Sequence, residues 1–214
     1  EITWVTGVQT CALPIYDEFL AQFHLEYPQV EFEVDVLRSS DVASALLQKT
    51  ASFGLGLCRT PQPKLEQRVL LQQRYAFFCG KRHRLFGRKN LTLADLQSEN
   101  FVSFTSDQIG GNLSPLTVFR DQQGFTGRII ASSPSLDEIR RLVGAGYGIG
   151  CLPEHIVAAD VLAEEVWRLP PWEGVIDVNV YLLWNREQKL TQAESVFLER
   201  FEQMLMTTDL AERF

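Results

Sequence analysis

One arginine, one pair of glycines and one run of serines are the residues best suited to chemistry in this sequence. Arg59 ends the apolar run Phe53-Gly-Leu-Gly-Leu-Cys58, where a buried strand gives way to Arg-Thr-Pro. Ligands of open α/β sheets gather at such strand-to-helix junctions. A guanidinium there can hold a carboxylate through two parallel hydrogen bonds; a plain surface arginine is the competing reading. Gly110-Gly111 precede a helical stretch, an arrangement that either turns backbone N–H groups onto a small anion or makes a simple turn. Ser132, Ser133 and Ser135 lead a helix whose first turn holds Asp137 and Glu138. A serine hydroxyl caps that helix, and its polar N-terminus is free to face a cleft.

Other chemistries find no support. The glycines of Gly144-Ala-Gly-Tyr-Gly-Ile-Gly150 follow a helix and precede a strand, the reverse of a dinucleotide fingerprint, and their spacing differs from G-x-G-x-x-G. They read as a helix stop and as close helix–sheet packing. There is no Gly-Lys-Ser/Thr and no Gly-x-Ser-x-Gly elbow. His24, His83 and His155 have no metal-ligand spacing, so neither a metal nor a cofactor is expected. Lys81, Arg82, Arg84, Arg88 and Lys89 around His83 read as a solvated surface turn. The net charge of -7, from 20 basic and 27 acidic residues, leaves no basic face to grip a nucleic acid backbone. No apolar run reaches the ~18 residues of a membrane span, and no secretory signal is present. Cys11, Cys58, Cys79 and Cys151 form no Cys-x-x-Cys pair and read as reduced thiols of a cytoplasmic protein.

These groups must be positioned by alternating strands and helices. Phe19, Leu20 and Phe23 mark a helix, and residues 30–36 alternate apolar and acidic as a half-buried strand does. A capped helix with Val42, Ala45 and Leu46 leads to the buried strand 53–58, a βαβ arrangement with a parallel pair. Residues 68–79 are extended. A short helix capped by Thr92, a strand at 101–104, a glycine-rich loop and a helix from about Leu113 to Gln123 follow. A strand at 128–131 leads to the serine-capped helix, ended by Gly144, and to a strand reaching Pro153. A short helix over 154–159, a strand over 178–184 and a last helix capped by Thr191 complete the pattern.

Residues 5–15, Val-Thr-Gly-Val-Gln-Thr-Cys-Ala-Leu-Pro-Ile, resemble the conceptual translation of a widely used sequencing-library adapter. On that reading residues 1–15 are foreign, and the natural chain begins near Tyr16 with its first strand lost. The other reading is a genuine strand over residues 2–5 followed by a loop. No function is taken from Thr6, Thr10 or Cys11.

Phe53-Gly-Leu-Gly-Leu, His83-Arg-Leu, Leu91-Thr-Leu-Ala-Asp-Leu, the block Leu142-Val-Gly-Ala-Gly-Tyr-Gly-Ile-Gly-Cys-Leu-Pro153 and Tyr181-Leu-Leu-Trp recur in order and spacing along residues 16–205. Together they resemble the effector-binding domain of LysR-type transcriptional regulators. The resemblance implies an α/β fold of two Rossmann-like subdomains joined by two crossover strands, like type 2 periplasmic binding proteins. It places subdomain I at 1–73 plus 178–214 and subdomain II at 74–177. It implies a small-molecule effector in the interdomain cleft and no enzymatic activity. It also implies a homodimer or homotetramer, and DNA binding only through a helix-turn-helix domain absent from this chain. Carried over residue by residue, the ligand-binding positions are Arg59 and Thr60, then Ser103, Thr105 and Ser106, then Gly111, Asn112 and Leu113, then Ser132, Ser133 and Ser135. The family commonly has Asp where Gly54 stands, so one polar anchor is missing. The alternatives are a transporter's solute-binding protein and, further off, an enzyme on the same fold.

Overall fold

Short apolar runs alternate with amphipathic segments along the whole sequence, and each half of the chain resolves that alternation into a small sheet covered by helices. The computed structural model describes residues 1–7 and 14–213. In chain order the elements begin with β1 (Ile2–Thr6), α1 (Pro14–Glu26), β2 (Phe32–Val36), α2 (Ser39–Leu47), β3 (Phe53–Leu57) and β4 (Leu65–Gly80). Next come β5 (Phe101–Phe104), α3 (Ser114–Gln122), β6 (Ile129–Ser133), α4 (Leu136–Gly144), β7 (Ile149–Pro153) and α5 (Ala158–Leu162). The last are β8 (Val166–Arg168), β9 (Ile176–Asn185) and α6 (Gln192–Thr207). Two compact units result: Glu1–Gln72 with Asn179–Phe214, and Gln73–Val178.

In the first unit the strand order is β2-β1-β3-β9. β1 runs parallel to both β2 and β3, and β3 is antiparallel to β9. The stretch read as foreign thus contributes a central strand over Ile2–Thr6, while Thr10 and Cys11 lie outside the described residues. Trp4 is fully buried against Tyr16, Phe53, Phe197 and Phe201, with its ring stacked on Tyr16 at 5.5 Å. Each such buried side chain is worth about 1.5–3 kcal/mol by area. Among the described residues, however, the indole N–H of Trp4 finds no hydrogen-bond partner. β2 is less buried than its alternation suggests, with Val34 52% and Val36 80% exposed. It is the edge strand, paired on one side only. At Gly54 a Cβ atom would lie 2.6 Å from Val42 Cγ1, so α2 packs directly on β3 and leaves no room for a side chain there.

The second unit has the order β4-β7-β5-β6, with β8 added to β4. β5 is parallel to β6 and β7, and β7 is antiparallel to β4. Between the pairs Phe101↔Ile129 and Val102↔Ala131 the register shifts, so Ile130 bulges out of the ladder. α4 ends at Gly144, and the left-handed residue after it is Gly146, at φ +83°. Gly80 shows why the helix end needs small neighbours: a Cβ there would stand 2.3 Å from the Gly144 carbonyl oxygen. α5 begins later than the pattern suggests, at Ala158, because residues after Pro153 first make a turn in which the Ile156 N–H bonds the Pro153 carbonyl.

Candidate functional site

Parallel strands end on the same side of a sheet, so the residues just past β1, β3, β5 and β6 are the places where loops and helix N-termini meet. In the first unit, Ser39 ties this edge together. Its hydroxyl donates to the Gly7 carbonyl at 2.9 Å and accepts from the Leu57 N–H at 3.5 Å, linking the ends of β1 and β3 to the start of α2. A side chain at Gly7 would collide with Ser39. Arg59 and Thr60 follow on β3, both exposed. Next to them the half-buried Cys58 thiol donates to the Thr60 carbonyl at 3.3 Å, and burial pushes its pKa up.

In the second unit the corresponding edge is rich in hydroxyls. The register sets Ser103 beside Ser132 and Phe104 beside Ser133. Ser132 is exposed and Ser133 half-buried. Ser133 Oγ accepts from the Ser135 N–H at 3.1 Å, and Ser135 Oγ accepts from the Glu138 N–H at 3.4 Å, making Ser135 the N-cap of α4. Both hydroxyls keep a hydrogen to donate elsewhere. Thr105 is exposed and Ser106 half-buried in a single 3₁₀ turn at the end of β5. Gly111 and Asn112 are half-buried in the loop before α3. Gly111 has to be glycine, since a Cβ would come within 2.1 Å of the Ser106 carbonyl oxygen.

Two of the sequence-derived positions differ in kind from the rest. Leu113 is 2% exposed, so its side chain belongs to the core and only its backbone serves the loop, the N–H bonding the Ser106 carbonyl at 2.9 Å. Ser103 is 5% exposed, and its hydroxyl donates to the carboxylate of Asp107. That carboxylate also receives Arg120 Nη1 at 2.9 Å. Sequence reasoning missed both Asp107 and Arg120. A signal was available for Arg120, which follows Leu116 by four residues on the apolar face of α3.

A second buried ionic group lies in the turn read as solvated. The His83 side chain is 8% exposed and the Glu99 side chain 10%. His83 Nε2 is 3.2 Å from the Glu99 carboxylate, and Nδ1 accepts from the Leu85 N–H at 3.3 Å. That places the ring proton on Nε2, donating to Glu99. Burial lowers the His83 pKa; Glu99 opposes the shift, while Arg84, itself ion-paired to Glu99, adds to it. Lys81 pairs with Glu165 at 2.6 Å, so two of the five cations in this cluster are already matched.

Among the described residues, no helix is long and apolar enough to cross a membrane. Nor do any three His, Cys, Asp or Glu side chains converge as a metal site would require.

The architecture has close counterparts among solved structures. The regulatory domain of Synechocystis PCC6803 CcmR, in complex with 2-PG, matches with a TM-score of 0.78 at 17% identity over 98% of both chains. The effector-binding domain of QuiR, in complex with shikimate, matches with a TM-score of 0.78 at 16% identity over 97% of this chain and 98% of that one. In sequence, the chain is 24% identical over 190 residues to the uncharacterised HTH-type transcriptional regulator YwbI of Bacillus subtilis (strain 168), covering 89% of this chain and 62% of that protein. The chain spans between half and two thirds of the length of the curated relatives it matches. The family model of the LysR substrate binding domain matches residues 5–205. The chain belongs to the LysR substrate-binding domain family.

Proposed function

We propose that this chain is the effector-sensing part of a LysR-type transcriptional regulator and that its effector is a small, carboxylate-bearing metabolite. The observation that carries the reading is the donor-rich edge past β5 and β6, where Thr105, Ser106, Ser132 and Ser133 offer hydroxyls beside the backbone of Gly111 and Asn112. Such an edge suits a ligand that mainly accepts hydrogen bonds. Arg59 and Thr60 offer a cation and a hydroxyl past β3, where a carboxylate is bound best by a guanidinium fork. Shikimate, the ligand of QuiR, is a hydroxylated carboxylate of this type.

The domain works by binding, with no turnover. A ligand that prefers one arrangement of the chain shifts the population toward it, which is all that a sensor requires. In the whole protein, a helix-turn-helix domain would carry the DNA contact in the cytoplasm, and the assembly would be a homodimer or homotetramer. The unpaired edge of β2, with Val34 and Val36 exposed, supports an exposed strand edge as one contact between copies.

The test is a thermal-shift and calorimetric screen of small carboxylates, shikimate included, against matched neutral analogues. Carboxylates are expected to stabilise the chain, and Arg59→Ala is expected to abolish that stabilisation. Unchanged affinity in Arg59→Ala removes Arg59 from the site. Binding confined to neutral analogues overturns the ligand class.

A further inference from the structure

Residues 105–112 carry Thr105, Ser106 and Asn112 among the candidate donors of the second unit, and the floor beneath them is made of charge. Asp107 is 1% exposed and Arg120 8%. Arg120 Nη1 donates to Asp107 Oδ2 at 2.9 Å and to Ser103 Oγ at 3.2 Å. Its Nη2 donates to Thr117 Oγ1 at 2.9 Å, and the Thr117 hydroxyl donates to the Asp107 carbonyl oxygen at 2.6 Å. The guanidinium carbon lies 5.0 Å from the centre of the Phe101 ring. Two side chains of α3 therefore hold this edge: Arg120 grips β5 through Ser103 and Phe101 and the loop through the Asp107 carboxylate, and Thr117 holds the Asp107 carbonyl. Above this floor the loop closes on itself: the Leu113 N–H bonds the Ser106 carbonyl and the Gly111 N–H bonds the Gln108 carbonyl.

A buried ion pair contributes little stability beyond what well-packed apolar residues of the same volume would give. What this one adds is geometry, because a guanidinium fork with three oxygen partners tolerates few arrangements. We propose that Asp107, Arg120 and Thr117 are positioning residues for effector recognition. They set Thr105, Ser106 and the backbone of Gly111 and Asn112 in their binding arrangement before a ligand arrives. The loop then need not be ordered at the binding step, a cost that otherwise subtracts from affinity. The proposal rests on the effector-binding reading of this edge.

Amide hydrogen exchange on the chain tests the positioning without any ligand. Arg120→Lys keeps the charge but not the fork, and Thr117→Val keeps the shape but not the hydroxyl. Both are expected to lose protection at Gly111 and Leu113, while Val102 in β5 and Gly150 in β7 keep theirs. Thr117→Ser, which restores the hydroxyl, is expected to match the parent chain. Equal exchange in Thr117→Ser and Thr117→Val overturns the proposal, as does a loss of protection spread evenly over the strands. If Arg120→Lys does not fold, the Thr117 pair decides alone. A second arm uses shikimate and any carboxylate that stabilises the parent chain. There Arg120→Lys is expected to weaken binding roughly tenfold, the scale of one lost charge-assisted hydrogen bond, and Thr117→Ser to leave it unchanged. Unaltered affinity in a variant whose loop has lost protection overturns the link to recognition. Failure of the parent chain to bind any carboxylate counts against the effector reading, while the exchange result still stands on its own.

Discussion

The first unit buries Glu194 in the opening turn of α6 and Arg213 beyond the end of the same helix; the second buries Arg120 against Asp107. Glu194 receives the Ser52 hydroxyl and the Thr191 N–H, the latter at 2.6 Å, in a reciprocal capping box. Burial pushes its carboxyl up, but those hydrogen bonds prevail and hold it below the usual range. Among the described residues the Arg213 guanidinium donates to carbonyls alone: Val69 at 2.7 Å, Leu70 at 3.0 Å, Thr208 at 2.9 Å, and Leu205. Burial lowers its pKa, with Asp209 opposing. Glu194 is thus matched by donors at the N-terminus of α6, and Arg213 by carbonyls at the C-terminal end of that helix and along β4, in both cases by partial charges. Arg120 is matched by a full opposite charge. The comparison teaches that the same fold can stabilise a buried ion with peptide dipoles, which leave nothing charged behind when the ion is removed, or with a counter-ion, which does.

That difference can be broken open by substitution. The largest effect is expected from Arg120→Met, which strands Asp107 in the interior and should cost about 3–5 kcal/mol in chemical denaturation. Adding Asp107→Asn should recover a large part of the loss; a double variant as unstable as the single one would falsify the counter-ion account. Arg213→Met leaves behind only carbonyls, so its cost should be smaller, about 1–3 kcal/mol. A loss matching that of Arg120→Met would erase the distinction between dipoles and counter-ions. The smallest effect concerns His83, whose buried ring donates to Glu99. Its folded pKa lies below the ordinary value of 6.5, so the unfolded chain takes up the proton more readily. The stability it contributes is therefore full above about pH 6.5 and is lost as the pH falls toward the folded value. His83→Gln should flatten that slope in a series of denaturation curves. His155, also lowered by burial, should leave part of the slope in place.

Local signals in the sequence carried a good deal of this. Ser135 with Glu138, and Thr191 with Glu194, announce caps because cap and partner sit three residues apart. The parallel pairing around α2 follows from strand–helix–strand order. Long-range pairs were hidden. Asp107 and Arg120 are 13 residues apart, and each alone looks like a surface residue. His83 sits among five cations that suggest solvent, while the carboxylate that holds it is Glu99, beyond a turn and a capped 3₁₀ segment. The donor hydroxyls past β5 and β6 were readable as types. That Ser103 is spent on Asp107 was not, because it depends on where α3 lies.

The bulge at Ile130 has a consequence for how this edge can vary. Side chains alternate between the two faces of a strand, so a single extra residue reverses the facing of everything after it. Ser132 stands beside Ser103, and Ser133 beside Phe104, because Ile130 has been stepped over. Were the ladder to run on through Ile130 instead, Ser132 would stand beside Phe104 and each of the two serines would take the face now held by the other, although every polar residue of the edge would still be present. The identity of the hydroxyls is written in the composition of this segment, but their direction is written in where the ladder skips a residue.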